Sequence, residues 1–287
     1  MLTRISLVCK LAAPVAVSMV LHVWSMKVGL FAVCLWNVFS FVPELLALFH
    51  IYDNMPELRK TIKVDPDQKQ LWESLREGWQ DYVSSRRTFL PSMAYVFLYF
   101  TALCPGPLMS AYLLTRGMQE LHISIYQAVS SVVGVGATFL APHLISTMGT
   151  EKAGLFSIWF QQGFLLLSVI AFFLFNNDTS SLALDASDPT STIWIFLGCL
   201  VLSRMGLWSF DLAERQIMQE YVPKEKRGLI NGVEFSLTNV FFVGSYLMGV
   251  IASRPDQFQW LVGLSFLAVT SAALLYTLWI VRGTAAS

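Results

Sequence analysis

Charge is what this chain has least of. Asp, Glu, Lys and Arg make up 13% of its 287 residues, against about a quarter in a soluble globular domain. The 19 basic residues balance the 19 acidic ones, so no polybasic face for nucleic acid is indicated. Cysteine and histidine are scarce, with four of each. Cys9, Cys34, Cys104 and Cys199 form no Cys-x-x-Cys pair and have no neighbouring His to complete a metal site. In apolar segments a lone Cys is usually a small packing residue. His22, His50, His122 and His143 are dispersed over separate segments. Neither His-Glu-x-x-His, Gly-x-Ser-x-Gly nor a P-loop occurs, which leaves nothing that argues for an enzyme. Residues 2–10 lack a basic stretch followed by a cleavage site, so no cleavable targeting peptide is expected and the chain runs almost at once into an apolar run.

Apolar residues are what it has instead, at 55%. A helix needs about 20 mostly apolar residues to cross the hydrocarbon layer, and several runs here are that long. Eight spans are expected, at residues 7–24, 28–51, 89–113, 123–148, 154–175, 193–212, 229–252 and 258–281. The fold class is therefore an all-α polytopic membrane protein, with the lipid bilayer as its first partner. Two connections are long, the charged amphipathic 52–87 and the polar 176–191. If 52–87 is cytoplasmic, fifteen Lys and Arg fall on that side and only Lys27, Arg116 and Arg254 on the other. That asymmetry orients the chain with both ends inside. It also places Asn177 of Asn-Asp-Thr, an N-glycosylation candidate, outside. In 52–87, Leu71, Leu75 and Trp79, with Trp72 and Tyr82, fall at helical spacing. This predicts an interfacial helix, although a solvated linker between two bundles fits equally.

An ionisable group inside a span costs several kcal/mol unless paired, hydrated or facing a cavity. Glu44, Arg204, Asp211 and Glu234 are the four such groups. Arg204 and Asp211 are two turns apart on one helix, too far for an (i, i+4) pair, so each is expected to face a partner on another helix. Glu44 and Asp211 could alternatively mark span ends. Within 89–113, Cys104-Pro105-Gly106-Pro107 removes backbone donors and breaks the helical ladder. Non-helical backbone at membrane depth belongs where it is buried or lines a cavity, the device many transporters use for a substrate site; a packing kink is the plainer reading.

The run 204–212 (RMGLWSFDL), Gln219-Glu220 and 227–233 (RGLINGV) together resemble the ferroportin family closely. Residues 36–40 (WNVFS) with Glu44 and 52–58 (YDNMPEL) resemble that family's sixth helix and its exit, and 75–79 (LREGW) the segment leading to the seventh. The resemblance implies a major facilitator-like architecture, twelve helices in two six-helix halves. Mapped by motif order, it implies that this chain holds helices five to twelve and lacks the first four. Residues 1–51 would then be the last two helices of one bundle, 52–87 the loop between bundles and 88–287 the second bundle.

By that resemblance the function is transport of divalent metal, iron(II) efflux by alternating access, with iron(II) as transported substrate and no cofactor. The metal ligands stay open. Animal relatives use an Asp-His pair on the absent first helix, and an acid, a Cys and a His where this chain has Gly106, Pro107 and Ser245. Cys104 lies close by, and 101–108 (TALCPGPL) resembles the plant organellar branch. Candidate pathway residues are Arg204, Asp211, Glu234, Asn231, Glu44, Cys104 and Gly106; Arg227 and Gly228 are candidates for a cytoplasmic gate. The alternatives are an organic-cation or metal-chelate carrier, or a non-transporting membrane protein that modulates a full-length partner. A plasma, plastid or mitochondrial membrane would each fit, and nothing bears on oligomeric state.

Overall fold

The computed structural model describes residues 26–54, 68–85, 87–178, 191–252 and 254–284. Among these residues every regular element is helical. The chain divides into two compact units, Val8–Leu75 and a larger one containing Arg76–Ser287. In the smaller unit, α1 (Met26–Asn54) is a 29-residue helix with Pro43 inside it. At 1.5 Å per residue it is about 43 Å long, more than a bilayer core requires. Its large apolar side chains, among them Phe31, Trp36, Phe39 and Leu46, are exposed. The first expected span, 7–24, lies outside the described residues.

Helix α2 (Gln68–Ser84) passes from one unit into the other. The helical spacing read from Leu71 to Tyr82 thus lies in a helix. The larger unit continues with α3 (Phe89–Leu98), α4 (Pro107–Thr115), α5 (Glu120–Met148), α6 (Thr150–Asp178), α7 (Ser191–Tyr221), α8 (Arg227–Ile251) and α9 (Phe258–Thr284). Among the described residues α1 and α5 to α9 are each long and apolar enough to cross a membrane, whereas α3 is apolar but short. The expected span 89–113 is the one divided in two. Of the expected spans, 193–212 ends too early, since α7 runs on to Tyr221.

The outer surface is apolar as well as the core. Along α6, Leu166, Leu167, Ile170, Phe173 and Leu174 are exposed, while Ser157, Gln161 and Ser168 of the same helix are buried. A lipid-facing surface demands that arrangement, because hydrocarbon solvates Leu and Phe but not amides and hydroxyls. Helices α6 and α7 form the most extensive pairing, α5 packs on α7, and α9 closes against α3 and α6. Gly206 makes the α6–α7 approach possible, since a Cβ there would sit 2.5 Å from the Ser157 carbonyl and 2.7 Å from the Gln161 nitrogen. Gly149, at φ +83°, reverses the chain between α5 and α6 in a single residue, a conformation that only glycine adopts at no steric cost. Aromatic contacts fill the centre. Tyr112 stacks on Phe258 at 4.0 Å between ring centroids, and Phe210 meets the edge of Tyr276 at 5.1 Å.

A candidate substrate pathway of broken helix and buried charges

Helix α3 stops at Leu98 and α4 starts at Pro107, leaving eight residues, 99–106, outside regular helix. Pro105 and Pro107 supply no backbone donor, and Gly106 is extended at φ −156°, ψ −177°. The break is wider than the proline motif alone and begins at Tyr99. Its orphaned backbone groups find partners on other helices. Arg204 of α7 donates from Nη2 to the Leu103 carbonyl. The Ala102 amide donates to Ser265 Oγ of α9 at 2.8 Å. Gly106 O accepts from both the amide and Oγ of Ser110, and Gln127 of α5 donates to that Oγ at 2.8 Å. Arg204 is 7% exposed, so a cation with no carboxylate partner among the described residues sits inside the bundle, held by a carbonyl dipole. Cys104 and Tyr126 lie within its electrostatic reach. The Cys104 thiol makes only a weak contact with Thr101 O, at 3.9 Å.

A second constellation lies further along α7. Asp211, 3% exposed, accepts from Tyr95 Oη at 2.7 Å and from Arg215 Nε at 3.1 Å and Nη2 at 3.2 Å. The inter-helix partner expected for Asp211 is therefore a tyrosine on α3, joined by an (i, i+4) arginine. The helix itself continues for ten residues beyond Asp211. Glu234 of α8 accepts from Ser92 Oγ of α3 at 2.5 Å, and Ser92 in turn meets Tyr82 Oη of α2 at 2.7 Å. Burial pushes the Tyr82 phenol well above its ordinary pKa, so it stays a neutral donor. Glu214, fully buried, faces Glu234.

The other candidates are not gathered here. Glu44 is exposed on α1, in the smaller unit. Asn231 and Gly228 are exposed at the start of α8. Arg227 is half-buried and folds back on its own turn, donating to the Val222 carbonyl at 3.0 Å and to the Gln219 carbonyl. It therefore caps the end of α7 in addition to carrying charge. Asn177 falls in the last turn of α6, and Thr179 of its tripeptide lies outside the described residues. Ser245, which the resemblance aligns with the animal histidine, is buried and donates to the Phe242 carbonyl. No group of three or more His, Cys, Asp or Glu is placed to hold a metal ion among the described residues.

Sequence reasoning missed Glu214, Arg215, Tyr95 and Ser92. Glu214 and Arg215 fall beyond the expected end of the span at residue 212, so they read as loop charges. The available signal was the Asp211–Arg215 spacing of four, which places both on one helical face. Tyr95 and Ser92, three apart on a short apolar helix, carried no signal of their own.

Comparison with known proteins agrees with the motif reading. The family model described as Ferroportin1 (FPN1) matches residues 1–269. A rice protein (Oryza sativa subsp. japonica) named solute carrier family 40 member 1 is 33% identical over 97% of this chain and 59% of its own length. The chain thus spans about three-fifths of that relative. A bacterial homologue of the iron transporter ferroportin, solved in an outward-facing state, superposes with a TM-score of 0.72 at 27% identity, covering 98% of this chain and 63% of the other. An inward-facing structure of a bacterial homologue gives a TM-score of 0.69 at 26% identity, over 97% of this chain and 61% of the other.

Proposed function

The chain belongs to the ferroportin family, a multi-pass membrane protein family, and from that premise we propose that it carries the α7–α8 core of a transporter that moves divalent metal, iron(II), out of the cytosol by alternating access. The observation that carries this reading is the opened backbone of 99–106, held by Arg204 within the bundle. A helix interrupted at membrane depth exposes carbonyls and amides that an ion or its hydration shell can use, and buried protein must support them when no ion does. Solved bacterial relatives in outward-facing and inward-facing states support alternating access for this scaffold. Cys104 and Gly106 line the break, while Arg227 and Gly228, at the α7–α8 turn, form the cytoplasmic gate. Residues 1–51 belong to one bundle and 88–287 to the other, with 52–87 between them. Either the plasma membrane or an organelle membrane fits this reading.

The test is flux in proteoliposomes containing the complete protein, with iron(II) and a small organic cation offered separately. We expect iron(II) movement, reduced at least tenfold by Arg204→Ala. Organic-cation movement without any iron(II) flux would overturn the substrate assignment, and no movement of either would overturn transport.

A further inference from the structure

The carboxyl groups of Glu214 and Glu234 meet between α7 and α8 within hydrogen-bonding reach of each other. Glu214 has no exposed surface, and among the described residues neither of its oxygens receives a hydrogen bond. The hydrogen bonds recorded for the donors around it, among the described residues, all run to other acceptors. Arg215 turns Nε and Nη2 to Asp211, and Nη2 also to Tyr95. Tyr95 donates to Asp211, so the Tyr99 hydroxyl, 2.8 Å from Tyr95 Oη, donates to Tyr95. Ser92 donates to Glu234, so Tyr82 donates to Ser92. On α9, Tyr276 donates to the Glu151 carbonyl.

Charge gives the same result as hydrogen bonding. Arg215 balances Asp211, Lys226 pairs with Asp81 at 2.8 Å, and Arg227 is spent on carbonyls. The titratable groups that face Glu214 are Asp211, Arg215 and Glu234 on α7 and α8, Tyr82 and Tyr99 on α2 and α3, and Tyr276 on α9. Arg215 is the only cation in that set, so one positive charge is shared by the three carboxyl groups of Asp211, Glu214 and Glu234. Two acceptor groups face to face, one of them receiving no hydrogen bond among the described residues, need a proton between them.

We propose that Glu214 and Glu234 form a proton-binding site in which one carboxyl O–H donates to the other carboxylate. The proton completes a run of hydroxyls, from Tyr82 through Ser92 and Glu234 to Glu214, that joins α2, α3, α8 and α7. The pair already sits inside the larger unit, so this proposal stands or falls independently of the transport reading. Loss of the proton sets two carboxylates against each other and loosens the α7–α8 contact.

Infrared spectroscopy of the full-length protein in lipid nanodiscs at neutral pH tests it, through the carbonyl stretch of a protonated, slowly exchanging carboxyl group. We expect one such band, lost in Glu214→Gln and in Glu234→Gln, while both variants stay monodisperse because the Gln amide can still donate across the pair. Mass spectrometry of wild-type protein treated with a hydrophobic carbodiimide, which attacks protonated carboxyls, is expected to find the adduct on Glu214 or Glu234. It needs no folded variant. A wild-type spectrum without the band overturns the proposal, as does a band that survives in both variants. Wild-type protein that binds Mn(II) at a site abolished in Glu214→Gln, with no protonated carboxyl, replaces the proton with a metal.

Discussion

A guanidinium buried in an apolar helix without partners costs several kcal/mol, and Arg204 avoids part of that cost through the Leu103 carbonyl. The dependence is mutual, because Leu103 lies in a segment with no helical donor for its carbonyl. Arg204→Ala strands a buried acceptor, a loss of about 1–3 kcal/mol, which thermal unfolding of the detergent-solubilised protein will register as a lower midpoint. Arg204→Met is expected to behave similarly, since it fills the space but donates nothing. Asp211 provides the contrast. Its arginine partner has a side chain 55% exposed, so Asp211→Asn frees Arg215 to water and keeps an oxygen for Tyr95. Solvent screening limits the effect to below about 1 kcal/mol, and the same unfolding assay should show little change.

At the scale of elements, α6 and α7 are held together by an absence of side chain. With Gly206 touching the α6 backbone, Gly206→Ala forces a helix displacement of the kind that costs about 1–3 kcal/mol in a packed interior. Gly206→Leu is expected to abolish monodisperse protein in size-exclusion chromatography. The long helices were readable from the sequence because a bilayer imposes about 20 apolar residues on each. The break was readable from Pro105 and Pro107, because proline removes donors wherever it stands. What was not readable is the true length of α7. Asp211, Glu214 and Arg215 looked like the end of the helix or lay past it, since the sequence does not show that Tyr95 and Glu234, more than a hundred residues before and twenty after, stand beside them. The amphipathic rhythm of α2 announced a helix but not which aromatic is covered; Tyr82 is buried while Trp79 is about half exposed.

For the molecule as a whole, the distribution of Lys and Arg predicts that the α7–α8 turn faces the cytosol. Lys226 is exposed there, and its ion pair with Asp81 is a surface one, so Lys226→Cys is expected to fold normally. On a cysteine-depleted background a membrane-impermeant maleimide should label it only from the cytosolic side of sealed vesicles. Labelling from the opposite side would invert the topology, and with it the direction of transport proposed above.

The link between Ser92 and Glu234 joins residues 142 positions apart, and this separation has a consequence during synthesis. Tyr82, Ser92 and the rest of α2 and α3 leave the ribosome long before α7 and α8 exist. Until then, Tyr82 lacks Met218, Val222 and Ile230, the side chains that cover it. Contacts of such long sequence separation form late and slowly. The first part of the larger unit must therefore wait in the bilayer, unfinished, for its last third, and that interval is when the nascent protein is most exposed to chaperones and quality-control proteases.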